Sequence, residues 1–135
     1  MVPKSMLTIL NHATHATKAL EVIGKSYQDV YPVFYNESFY GIIDKEHFLT
    51  TLSSGVLDAY VSDYTEKKFD FIYGDEEVQK VLSNGRLKTA RNMVVFDKSN
   101  NFLGILSYEK LIEHLLIDRV VKESKNREIQ DEFLL

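Results

Sequence analysis

One pattern occurs twice in this chain, and that duplication constrains the fold more than any single motif does. Residues 30–52 and residues 92–116 each hold an apolar run, a short polar turn, a second apolar run and then a helical pattern. The first copy reads Tyr31-Pro32-Val33-Phe34-Tyr35, the turn Asn36-Glu37-Ser38, then Phe39-Tyr40-Gly41-Ile42-Ile43. The second reads Met93-Val94-Val95-Phe96-Asp97, the turn Lys98-Ser99-Asn100-Asn101, then Phe102-Leu103-Gly104-Ile105-Leu106. Runs rich in β-branched and aromatic residues, joined by short polar turns, predict hairpins. Before the turn the copies lie 62 residues apart, which pairs Leu20 with Leu82, Val33 with Val95 and Phe34 with Phe96. After it the offset is 63, which pairs Phe39 with Phe102, Gly41 with Gly104 and Glu46 with Glu109. One extra residue in the second turn accounts for the change, and loops accept insertions because they carry no core. A period this long exceeds that of a solenoid repeat, so the chain reads as two copies of a small domain.

The expected order in each copy is strand, helix, strand, strand, helix. The fold class is therefore α+β, with two repeated β-α-β-β-α units packed as a pseudo-twofold pair. Unit one takes residues 5–55, a linker 56–68, unit two 69–121 and a charged tail 122–135. In unit one, residues 6–10 read as a strand and Thr14 as a helix N-cap. Ala16, Ala19, Leu20 and Ile23 follow helical spacing, and Gly24 stops that helix. Asp44 caps a second helix with Phe48, Leu49 and Leu52 on one face, and Ser53-Ser54-Gly55 ends it. In unit two, residues 69–72 read as a strand. Asp75-Glu76-Glu77 form an acidic first helical turn, which suits the helix dipole, and Val78, Val81 and Leu82 form its buried face. Ser107 caps a last helix running to about Val121. The tail continues that helix, frays or joins another chain.

A chain of 135 residues has room for one domain or two small units sharing a core. The net charge of −4 gives no basic face for nucleic acid, so no nucleic-acid partner is expected. Cysteine is absent, which removes disulfide and thiol chemistry and suits a reducing, cytoplasmic setting. No apolar run reaches membrane-spanning length, so no membrane insertion by this segment is expected. His12 and His15 stand at i, i+3, a spacing that can hold a metal. No motif completes such a site, so they read as surface histidines and no metal is assigned. Gly24-Lys25-Ser26 imitates the end of a P-loop, but the earlier glycine is missing: position 19 is alanine. Arg86, Lys88 and Arg91 read as a solvated basic loop.

The duplicated pattern resembles the CBS (cystathionine β-synthase) domain, two of which form a CBS pair or Bateman module. The likeness rests on Thr8-Ile9-Leu10-Asn11-His12-Ala13-Thr14, Tyr31-Pro32-Val33 and Gly41-Ile42-Ile43. In the second copy it rests on Met93-Val94-Val95-Phe96-Asp97 and Gly104-Ile105-Leu106-Ser107. It covers about residues 5–118. The resemblance implies a non-catalytic regulatory module that holds an adenosine-containing ligand such as AMP, ADP or ATP in a cleft between the repeats. It implies control of a partner or fused protein, and a homodimer shaped as a flat disc.

Elementary chemistry points to the same places. Each hairpin runs straight into a helix whose first N–H groups can bind an anion, and Gly41 and Gly104 leave room for close approach. The resemblance implies a Ser or Thr at the cap and an Asp three residues on, for phosphate and ribose. The first copy has Asp44 and His47 at those positions. The second keeps Ser107 but has Lys110, and an ammonium only donates hydrogen bonds. The candidate ligand residues are Ser107, Lys110, Gly104, Met93 and Val94 in the second cleft, and Asp44 and His47 in the first. An anion suits the second better. Two alternatives stand beside this reading: a structural homodimerisation module with no small-molecule ligand, and an accessory domain of a membrane protease or transporter, on its cytoplasmic face. The apolar residues of the helices at Asp44 and Ser107 predict the dimer contact.

Overall fold

The computed structural model describes residues 1–53, 58–74 and 91–134. In chain order it has β1 (Val2–Pro3), a single 3-10 turn (Lys4–Met6), β2 (Leu10–Asn11), α1 (Ala16–Gly24), β3 (Val30–Tyr35), β4 (Ser38–Asp44) and α2 (Lys45–Ser53). Then come α3 (Val61–Tyr64), β5 (Phe71–Tyr73), β6 (Asn92–Phe96), β7 (Phe102–Ser107) and α4 (Tyr108–Leu134). The helix expected from Asp75 through Leu82 lies outside the described residues, as do Ser54-Gly55, Arg86 and Lys88.

Both hairpins form antiparallel ladders, β3 with β4 and β6 with β7. Asn36 and Asn100 turn the chain with φ of 53° and 63°, a left-handed conformation that asparagine accepts more readily than most residues. Val33 faces Gly41 and Phe34 faces Phe39, so Tyr40 is the extra residue of a bulge. Val95 faces Gly104 and Phe96 faces Phe102, which makes Leu103 the extra residue of the same bulge in unit two. The parallel pairs agree as well: Leu10 faces Val33 and Ile72 faces Val95, each pair at the offset of 62. The duplication in sequence is thus a duplication in register.

The leading segments of the units cross over. β1 leaves unit one and pairs antiparallel with β7, Val2 opposite Ile105 and Pro3 opposite Gly104. Glu66, on the way into unit two, bridges back to Ile42 of β4 through two backbone hydrogen bonds of 3.1 and 2.7 Å. The sheets are therefore β2-β3-β4 and β1-β7-β6-β5.

Alternation along the strands sends side chains to two sides. Tyr31, Val33 and Ile43 face the helices of unit one, with Ala16, Ala19, Ile23, Phe48 and Leu52. Among the described residues, Ile72, Met93, Val95 and Leu111 build the matching core of unit two. The opposite faces meet in a third core of Val30, Phe34, Val94, Phe102 and Ile105, edged by Phe39, Phe69 and Phe96. That shared core joins the repeats.

Five local expectations change. Residues 6–10 are not a strand: Met6 ends the 3-10 turn and only Leu10 pairs. His15, not Thr14, caps α1, accepting the Thr17 N–H on Nδ1 at 3.2 Å. Thr14 is committed elsewhere, donating its N–H to Asn11 O and accepting Val61 N–H. His12 is half-buried and packs against the rings of Tyr35 and Tyr40, with centroids 4.2 and 5.9 Å away. Leu49 is exposed, whereas Phe48 and Leu52 are buried. The expected linker carries α3, and its Ala59 and Val61 complete the core of unit one.

Candidate functional site

The two helix N-termini are built alike. Asp44 Oδ1 accepts the His47 N–H at 3.0 Å, and Ser107 Oγ accepts the Lys110 N–H at 3.1 Å. Lys45 N–H donates to Asp29 O and Tyr108 N–H donates to Arg91 O, both at 2.9 Å. Asp44 and Ser107 are therefore working N-caps. Two of the first three N–H groups in each helix are already satisfied internally. The remaining first-turn N–H belongs to Glu46 in α2 and Glu109 in α4, and each acid already complements the dipole there. An anion at either terminus has to share it with a carboxylate.

The two caps differ in charge and in the side chain one turn on. His47 is exposed beside the anionic cap of α2. Lys110 is exposed one turn into α4, its Nζ 3.3 Å from Glu113 Oε2. An exposed i, i+3 pair of this kind contributes about 0.5 kcal/mol or less. Its ammonium is free to turn to a better anion at little cost.

The other candidate residues serve packing. Met93 lies in the unit-two core and Val94 in the shared core, both buried. The space over Gly104 is filled by the carbonyl of Val2, and that over Gly41 by the carbonyl of Glu66, 2.5 Å from where a Cβ would stand. The close approach that both glycines permit is that of the crossing segments. Two cavities beside the sheets are lined by other residues: Lys4, Asn11, Phe34, Asn36 and Glu37 line one, and Phe39, Phe96, Asn100 and Phe102 line much of the other. Sequence reasoning missed Lys4, whose ammonium stands 4.7 Å from the Phe34 ring centroid. Nothing in the order of the sequence signals that residue 4 crosses to the hairpins.

Among the described residues, no group of three or more His, Asp or Glu side chains is arranged to hold a metal ion, and no helix is long and apolar enough to cross a membrane. Neither a family model nor a curated protein matches the chain. Solved structures do. A CBS domain protein from Shewanella oneidensis MR-1 superposes with a TM-score of 0.69 at 20% identity, over 85% of this chain and 92% of that one. CBSX2 in complex with AMP gives 0.69 at 17%, over 88% and 94%. The CBS domain of the bacterial CNNM/CorC family Mg2+ transporter in complex with ATP gives 0.70 at 16%, over 86% and 83%. The chain has the α+β fold of a CBS domain pair, its two units joined through one shared core.

Proposed function

We propose that this chain is a non-catalytic regulatory module that senses an adenine nucleotide in the cleft beside Ser107 and Lys110 and transmits its occupancy to a partner or fused protein. The observation that carries the choice of cleft is the contrast between the two caps. The Ser107 hydroxyl and the exposed Lys110 ammonium favour phosphate, whereas the Asp44 carboxylate opposes it. Solved relatives in fold with AMP and with ATP support adenine nucleotides as the ligand class. The module acts as a homodimer, in the cytoplasm or on the cytoplasmic face of a membrane protein.

Calorimetry with AMP, ATP and adenosine tests this. Position 110 carries no carboxylate for a ribose diol, so affinity depends on phosphate. Lys110→Ala should weaken AMP by roughly tenfold, the scale of one charge-assisted hydrogen bond, and leave adenosine little changed. Added salt should weaken AMP as well. Binding that is untouched in Lys110→Ala but lost in Asp44→Ala assigns the ligand to the first cleft instead. No binding of any of the three favours a structural module without a ligand, a reading supported by the internally satisfied caps and the exposed apolar residues of α4.

A further inference from the structure

The two units differ at one hydrogen-bonding edge. In unit two, Asp70 O accepts the Val94 N–H at 2.9 Å. The residues 62 positions earlier are Thr8 and Pro32, and proline has no N–H to give. Gln28 supplies the missing donor. Its Nε2 donates to Thr8 O and to Val30 O, each at 3.1 Å, and its Oε1 accepts the Thr8 N–H. One planar side-chain amide thus covers both backbone groups of Thr8. The residue 62 positions after Gln28 is Ala90, whose side chain has no polar atom. Among the described residues this closure occurs in unit one.

Gln28 is also tied to the strand that runs beside the Asp44 cap, through its bond to Val30 O. Val30 faces Asp44 in the β3–β4 ladder, and Asp29 O accepts the Lys45 N–H at the start of α2. A flat ligand approaching the Asp44 cap meets a donor–acceptor edge that is already filled.

We propose that Gln28 is a resident occupant of the first cleft and confines nucleotide binding to the second. This rests on reading the module as nucleotide-binding, and it adds a determinant of which cleft works that is independent of charge. A ligand using the Thr8 edge must displace three intramolecular hydrogen bonds. Each is worth about fivefold in an equilibrium constant, so the handicap is roughly a hundredfold.

The test is the stoichiometry of AMP binding by calorimetry, on the wild-type chain and on Gln28→Ala. Gln28→Ser serves where the alanine variant fails to fold, as judged by circular dichroism. One AMP per wild-type chain and two per variant chain is the expected result. One AMP in both, with unchanged affinity, overturns the role of Gln28 and leaves the nucleotide reading intact. None in the wild type and one in the variant overturns that reading for the native chain and upholds the role of Gln28. None in either overturns both.

Discussion

Phe39 and Phe102 stack, with ring centroids 5.0 Å apart and planes 7° from parallel. They are the same residue of the two repeats, at the offset of 63, so the axis relating the units runs between them. The contacts around them come in related pairs. Phe34 meets Phe102 edge-on at 5.7 Å, and Phe96, the counterpart of Phe34, meets Phe39 edge-on at 5.3 Å. Aromatic pairs of this geometry add about 0.5–1.5 kcal/mol beyond their burial. The units are held together by an aromatic cluster that each supplies half of.

Phe102→Ala should therefore destabilise the whole chain by about 3–5 kcal/mol, the range for a buried phenylalanine. Phe39→Ala should cost less, because its ring is only half-buried. Urea unfolding of both single variants and the double variant gives the coupling. A double variant whose loss equals the sum of the singles shows that the stack contributes nothing of its own.

The crossing of β1 onto β7 gives a second expectation. A Cβ on Gly104 collides with the Val2 carbonyl, and a Cβ on Gly41 collides with Glu66 and Thr65. Gly104→Ala should cost about 1–3 kcal/mol, the usual scale of overpacking. Removing residues 1–6 should abolish that further loss, because the obstacle is gone. The same truncation should not relieve Gly41→Ala, whose obstacle lies in the segment before β5. Chemical denaturation of the four variants decides it. Equal relief at both glycines contradicts the crossed arrangement.

The hairpins were legible because their signals are local: alternating apolar residues, polar turns and a one-residue insertion. The offset between the copies even anticipated the matched register of Val33 and Val95. What escaped was set by distant partners. Residues 6–10 have strand composition, yet Pro32 cannot donate to Thr8, so β2 pairs only from Leu10. Thr14 has good capping chemistry, but its backbone is engaged by Asn11 and Val61, and His15 takes the role. Gly41 and Gly104 stand out in sequence, but that the space above them belongs to the protein's own backbone depends on segments 20 or more residues away. The caps Asp44 and Ser107 were readable because a cap bonds a backbone N–H only three residues on. Gln28 was not, since its partners are at Thr8 and Val30.

The second hairpin turn should respond to acid. Asp97 Oδ1 accepts the N–H groups of Asn101 and Ser99, both at 2.9 Å, and Oδ2 accepts the Asn101 side-chain amide at 3.1 Å. The backbone N–H of Asn101 does most to hold this carboxyl below its ordinary value, followed by the Asn101 side chain and the Ser99 N–H. A carboxylate with a lowered folded-state pKa adds stability that is present above the unfolded value and lost as pH falls through the folded one. Asp97→Asn should therefore lower Tm at pH 7, and the gap to wild type should narrow as pH falls below the ordinary aspartate value. A gap that stays constant from pH 7 to pH 2.5 means that the charge plays no part.

The last expectation concerns α4, which runs unbroken from Tyr108 to Leu134, about 40 Å at 1.5 Å per residue. Leu111, in its first turn, is buried, but Leu116, Ile117, Val120 and Val121 are exposed by 47–60%. They form two i, i+4 pairs, so they make one stripe along the helix. Asp118, Arg119, Lys122 and Glu123 border a groove beside it with both signs of charge. A second copy related by a twofold axis can set acid against base on both sides of such a stripe, because a twofold contact is self-complementary. Soluble monomers rarely leave a contiguous apolar patch of this kind uncovered. Light scattering at tens of micromolar, a concentration suited to micromolar affinity, should give the mass of a dimer. Val120→Glu should give that of a monomer while the near-ultraviolet spectrum of the aromatic core stays the same. A wild-type monomer removes the dimer from the proposal. A Val120→Glu dimer moves the contact to another face, with exposed Leu49 of α2 as the next position to charge.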